Sequence, residues 1–343
     1  MIFTIFIFLA VLSLLIFVHE LGHFLAAKKA GVRVEEFGFG LPPRIYGKKI
    51  GGTLYSLNLL PIGGFIRMAG EEMEMALVGD PFCFFTKSPL KKALIIVSGV
   101  IGNFLLGWLL FTVLFVVGMP VFSERAVIVS VEANSSARQA GLEVNDVLLA
   151  LDDQSVNYSW EVTDYVKNHQ KPITVKFKRG SEEKSLSVTP KPVFGVYVSN
   201  FIWKISQPKY LAPWDALKEA FTVLYSVLRG LGGLVQSLFI KHAVPEEVAG
   251  PVGMAQIISF YAELGWRYLL TLVASISLNL ALVNILPFPA LDGGRLIFIG
   301  WEAVTRKKIN PALEYRFHQI GMILLLILFF LITYQDVVRL LRR

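Results

Sequence analysis

The stretch L-L-I-F-V-H-E-L-G-H-F-L-A-A-K-K, residues 14–29, decides how the rest of the chain is read. It closes an apolar run over residues 2–27 that is long enough to cross a bilayer, yet it contains His19, Glu20 and His23. An ionisable side chain at the centre of a membrane helix costs about 3 kcal/mol, so three of them need a reason. Helical periodicity brings His19 and His23 onto one face with Glu20 beside them. The pattern is H-E-x-x-H, in which two imidazoles hold Zn²⁺ and the glutamate is the base that deprotonates the attacking water. Polar residues that glue helices together are the plainer alternative, and three ionisable groups at this spacing favour the metal. The single cysteine, Cys83, excludes an intrachain disulfide and a cysteine-based zinc cluster, so any further ligand is a histidine or a carboxylate.

Composition agrees with a membrane location. Hydrophobic residues make up 54% of the 343, charged residues only 17%, and mean hydropathy is +0.58, which points to a polytopic membrane protein. The net charge of +7 does not indicate nucleic acid, because the lysines and arginines sit beside apolar segments, where they anchor span ends. Further apolar runs cover residues 93–119, roughly 268–290 and roughly 319–333, giving about four transmembrane helices. The first run lacks a basic leader and continues through the histidines to Lys28 and Lys29, so it is expected to be retained. Basic residues concentrate between runs one and two and between runs three and four, which makes both segments cytoplasmic and places residues 120–266 and both termini outside. The C-terminal R-L-L-R-R argues mildly against that assignment.

The third ligand is sought at the same depth on another helix. The third run ends in N-I-L-P-F-P-A-L-D-G-G-R-L, and Asp292 is the only carboxylate between Glu263 and Glu302. Pro287 and Pro289 break the helix ahead of it. Taken alone, D-G-G reads as a turn with Asp292 capping the next helix. Depth changes that weighting: His19 lies about 12 Å before the Lys28 boundary at ~1.5 Å per residue, and Asp292 also falls near a cytoplasmic end. The same argument keeps residues 213–240 from crossing. Trp214, Leu217, Phe221, Leu224 and Leu228 form one stripe, which reads as an interfacial amphipathic helix.

Two segments carry β patterns. Residues 51–68, G-G-T-L-Y-S-L-N-L-L-P-I-G-G-F-I-R-M, read as a membrane-associated β-hairpin. Its edge, at Gly63, Gly64, Phe65 and Ile66, is placed to hydrogen-bond an extended substrate backbone, or else to cap the site structurally. Residues 125–190 hold short β-prone runs around one helical stretch. Within them N-S-S-A-R-Q-A-G-L-E-V-N-D-V-L-L-A-L-D-D is similar to the core of a PDZ domain, with Ser136 for the usual proline and Asn145 for glycine. Such a domain binds extended peptides at a sheet edge, or obstructs bulky ectodomains. His169 and His242 lie in this outer region and are read as surface residues.

Taken together, H-E-L-G-H-F-L-A-A at 19–27, residues 51–68, G-N-F-L-L-G at 102–107, G-P-V-G-M-A-Q-I at 250–257 and N-I-L-P-F-P-A-L-D-G-G at 284–294 resemble the site-2 protease family of intramembrane zinc metalloproteases, in its RseP/RasP-like bacterial branch. Two local departures, G-L-P-P-R at 40–44 and S-G-V at 98–100, lie outside the metal motif. The resemblance implies that His19, His23 and Asp292 bind Zn²⁺ and that Glu20 is the catalytic base. It also implies that Asn279 and Asn284 lie near substrate, where hydrogen bonding between helices is their alternative role. It further implies a bacterial inner membrane location and single-pass membrane substrates, such as anti-sigma factors trimmed beforehand by another protease or remnant signal peptides.

The expected organisation is a membrane domain over 1–119, a PDZ-like extracytoplasmic domain over 120–200, an interfacial helical segment over 201–266 and a second membrane portion over 267–343. Its partners are membrane lipid, protein substrates and a peptide ligand of the PDZ-like domain, with no nucleic acid. The opposing reading is a non-catalytic scaffold or receptor with a structural metal. Two histidines and one carboxylate leave a fourth position open, whereas a structural zinc is closed by four protein ligands, and His318 is the one candidate to close it. A transporter is disfavoured by the absence of an internal repeat.

Overall fold

A computed structural model describes residues 2–70, 80–169, 171–190, 194–236, 250–307 and 310–341. His242 and the end of the 213–240 stretch lie outside them. The described chain divides into two units, residues 1–113 with 211–343, and residues 114–210.

The first unit is built on helices. Among the described residues four are long and apolar enough to cross a membrane: α1 (Ile2–Ala30), α2 (Pro89–Val117), α7 (Trp266–Ile285) and α9 (Pro311–Leu341). Between the first pair lie β1 (Val34–Ile50) and β2 (Thr53–Met68), joined at Gly51 and Gly52. The hairpin is therefore longer than the alternation at 51–68 suggests: that segment is its second strand, and Val34–Ile50 supplies the first. The register shows a further fold. Phe37 faces both Tyr55 and Ile66, and Gly38 faces both Ser56 and Phe65, so β2 passes on both sides of residues 36–39. Phe17 and Phe24 of α1 seat this sheet, with ring centroids 5.6 and 4.7 Å from Phe37. Buried Glu36 accepts two 3.0 Å hydrogen bonds from Arg44 and braces the long arm.

Helix α5 (Ala212–Gln236) packs through Ala212, Ala216 and Ala220, which are fully buried, and leaves Trp214, Phe221, Tyr225 and Leu228 exposed. Trp108 of α2 donates a 2.9 Å hydrogen bond to the Pro213 carbonyl. Of the apolar stripe read from the sequence, Trp214, Phe221 and Leu228 are exposed and Leu217 and Leu224 are half-buried. Helix α6 (Pro251–Leu264) begins where buried Asp336 of α9 accepts the Gly253 N–H at 2.8 Å, a charged partner at a helix N-terminus. Helix α8 (Asp292–Thr305) follows a break at 286–291.

The second unit contains β3 (Met119–Val131), α3 (Ser136–Ala140), β4 (Val147–Leu151), β5 (Gln154–Ser155), α4 (Ser159–Asn168), β6 (Ile173–Arg179), β7 (Glu182–Val188) and β8 (Val196–Lys204). The sheet order is β7-β6-β4-β3-β8, with β5 on β4. Its turn chemistry explains the sequence pattern. Gly141 caps α3 at φ 94°, and Asn145 sits at φ 74°, where Asn substitutes for Gly at low cost. Buried Asp146 takes a bidentate pair of 2.7 Å hydrogen bonds from Arg179. His169 stacks on Tyr165 and hydrogen-bonds its carbonyl at 2.8 Å, in keeping with a local structural role.

Candidate metal centre and active-site cavity

Close helix packing makes the site. The Gly22 and Gly99 positions let α1 and α2 touch backbone to backbone: a Cβ at Gly22 would strike the Ser98 carbonyl, and one at Gly99 would strike the His23 ring and lie 2.8 Å from His19 Cε1. Ser277 of α7 donates a 2.7 Å hydrogen bond to the Asn103 carbonyl of α2, tying the third helix to the pair. Pro287 and Pro289 then end α7, and the chain turns so that Asp292 opens α8 facing the histidines. Nearly buried Lys92 of α2 binds Glu302 at 2.7 Å and holds the far end of α8.

The Nε2 atoms of His19 and His23 are 3.1 Å apart, and Asp292 Oδ2 lies 3.1 Å from the first and 3.4 Å from the second. His23 Nδ1 is 2.8 Å from the Ile95 carbonyl, so that nitrogen carries the proton and donates it, leaving the Nε2 lone pair free. Asp292 Oδ2 is buried, and its near neighbours among the described residues are the two imidazoles. Three potential ligand atoms thus converge within 3.4 Å of one another. Such a cluster suits a cation, and the 2-His-1-carboxylate set is the type that binds zinc with a position left open. Among the described residues it is the one group of three such ligands within 4.8 Å of one another.

The cluster forms one wall of a cavity of 430 Å³ that Glu20, Phe65, Ile66, Arg295, Tyr315 and His318 also line. Of the residues singled out from the sequence, Glu20, Phe65 and Ile66 therefore reach the site. Gly63 and Gly64 stand behind it: Gly63 has φ 68°, its N–H donates to Ser13 Oγ at 3.2 Å, and a Cβ there would collide with Ile16. Asn279 and Asn284 are half-buried on α7 and are not among the cavity-lining side chains. His318 lines the cavity without joining the ligand cluster. Arg295 and Tyr315 were not legible as site residues. Arg295 stands one turn after Asp292, and that i, i+3 spacing was the available signal.

Residues 7–328 match the model of peptidase family M50. The chain belongs to that family, the site-2 protease family. Among its relatives, the zinc metalloprotease RasP of Geobacillus kaustophilus is 29% identical, with 96% of each chain covered. A Clostridium perfringens protein, CPE1693, is 32% identical over 95% of this chain and 96% of its own length. A solved PDZ domain of an SdrC-like protein from Listeria monocytogenes aligns at 17% identity and a TM-score of 0.20, covering 23% of this chain and 90% of that one. In this M50 peptidase the matched region contains both the H-E-x-x-H helix and the L-D-G-G turn.

Proposed function

We propose that this multi-pass membrane protein is an intramembrane zinc endopeptidase that cuts single-pass membrane proteins in or near their transmembrane segment. Three ligand atoms from two sequence-distant elements converging beside Glu20 in one cavity carry this reading. His19, His23 and Asp292 hold the zinc. When bound, the cation supplies Lewis acidity, acidifying a water and polarising the scissile carbonyl. Glu20 takes the water's proton as the water oxygen bonds to the carbonyl carbon, and returns it to the amine nitrogen as the C–N bond breaks.

The β2 edge supplies the substrate's conformation. A peptide bond within a helix is hydrogen-bonded and shielded, so hydrolysis needs an extended segment. Among the described residues 64–67 have strand partners on one side only, at residues 36–39, and Phe65 and Ile66 line the cavity. An unwound substrate adds there as a further strand. In this scheme Asn279 and Asn284 steady α7 or contact the flanking substrate helix. The bacterial inner membrane is the location, with the site near the cytoplasmic face and the PDZ-like unit outside, where it receives an extended peptide end. Basic residues between the first two and the last two spans support that orientation. Prior trimming of the substrate fits a buried site that a bulky ectodomain would not reach.

Glu20→Gln is the direct test. The variant should retain zinc and lose cleavage of a single-span peptide that the wild type cuts. Undiminished turnover would remove the mechanism.

A further inference from the structure

His318 presents an unusual problem. It stands on α9, within the fourth membrane span, and its Nδ1 accepts the Ala290 N–H at 3.0 Å. A nitrogen that accepts a backbone proton has none of its own, so the ring is neutral and its proton resides on Nε2. That Nε2 is buried without a hydrogen-bond partner among the described residues, and the ring lines the same cavity as Glu20 and the three ligands. A buried donor left unsatisfied is unfavourable, and a catalytic role is one of the reasons such a group persists.

The ring is also fixed in place. A Cβ at Gly321, one turn further along α9, would run into Pro289, so α9 is pressed onto the loop that leads to Asp292. A Cβ at Gly294 would lie 3.3 Å from His318 Cε1. Phe298 and Phe317 flank the imidazole, with centroids 6.1 and 5.7 Å away. Metal ligation does not use this nitrogen: His318 is not in the ligand cluster, and a protonated Nε2 has no lone pair to give. Freeing it would surrender the bond from Ala290.

We propose that His318 is a catalytic residue that donates its Nε2–H to the carbonyl oxygen of the scissile peptide. The inference rests on the hydrolytic reading above. As water adds to the carbonyl carbon, the C=O π pair moves onto oxygen and Glu20 holds the water's proton; the His318 bond strengthens with that charge and transfers no proton itself. When the carbonyl re-forms, the C–N pair passes to nitrogen, which receives the proton from Glu20. The donor is prepaid: its orientation is set before substrate arrives, which is how an oxyanion donor acts on rate more than on binding.

The experiment compares wild type, His318→Phe and His318→Gln as full-length protein in detergent. It reads zinc per chain, kcat and KM on a single-span peptide that the wild type cuts, and affinity for a phosphinic analogue of that peptide, a tetrahedral anion. His318→Phe should keep wild-type zinc, hold KM within about twofold and lose roughly 10²–10³ in kcat. Its phosphinate affinity should fall by a similar factor, and His318→Gln, which keeps an N–H donor, should recover part of both. In wild type alone, ¹⁵N resonances of His318 should report a neutral ring protonated on Nε2 that shifts when the phosphinate binds, a reading independent of how the variants fold. Loss of zinc in both variants, a ring protonated on Nδ1, or kcat and phosphinate affinity within twofold of wild type in His318→Phe would overturn the assignment. An unaltered Glu20→Gln enzyme would instead overturn the hydrolytic reading beneath it.

Discussion

Gly99→Ala should cost this protein its metal before it costs its fold. The added methyl would overlap the His23 ring and lie 2.8 Å from His19 Cε1, and it projects from a packed transmembrane backbone that cannot retreat. To reach an ordinary contact of ~3.4 Å the His19 ring must move by about 0.6 Å, several times the ~0.2 Å tolerance of a metal–ligand distance. Overpacking of this kind costs about 1–3 kcal/mol. Charged to the ligand geometry, that is roughly 5- to 150-fold in zinc affinity, at ~1.4 kcal/mol per decade. Competition against a chelator of known affinity, read as zinc per chain, measures the change directly. Gly300→Ala is the control, because nothing lies within 4 Å of its Cβ, and it should leave affinity unchanged. A Gly99→Ala protein holding zinc within twofold of wild type would refute the packing argument.

Other outcomes follow from the same geometry. Lys92→Met strands the Glu302 carboxylate against α2 and should destabilise the protein by about 3 kcal/mol, with Lys92→Met/Glu302→Met recovering most of it in thermal melts. Gly63→Val places a branched side chain at φ 68° against Ile16; zinc content should persist while peptide cleavage falls, and normal cleavage would remove the edge strand from the account. In the second unit, the Thr174 N–H, with help from the Tyr165 hydroxyl, lowers the Asp152 pKa. A depressed folded-state pKa gives stability that is full above the unfolded carboxylate value of ~3.9 and disappears as pH falls through the folded one. Asp152→Asn should therefore lower that unit's melting temperature at neutral pH, converge with wild type in acid and so flatten the acid limb of the profile.

The parts of this protein that were legible in sequence share a physical trait: their signals are local. His19 and His23 announce themselves because a helix repeats every 3.6 residues and because charge in an apolar run is costly. Asn145 can be read as a glycine surrogate because a single residue decides a left-handed turn. The first strand of the hairpin was hidden, since Pro42 and Pro43 and three glycines interrupt the alternation between Val34 and Ile50. Lys92 read as a span-end anchor, but it is 4% exposed and paired with a glutamate 210 positions away. The Asp336 cap on α6 spans 83 positions and left no local trace either. Long-range polar pairs carry no periodicity, so only the folded chain reveals them. His318 lies between the two cases. Its place at the start of the fourth run made it the candidate to close the metal site, but only the Ala290 contact shows that Nδ1 is the bonded nitrogen.

Zinc content per chain in detergent-purified wild type and Asp292→Ala, by elemental mass spectrometry, tests the central claim most directly, because it needs no substrate. An open three-ligand site predicts about one zinc in wild type and its loss or marked weakening in Asp292→Ala. Equal zinc in the two proteins, or none in metal-replete wild type, would contradict it.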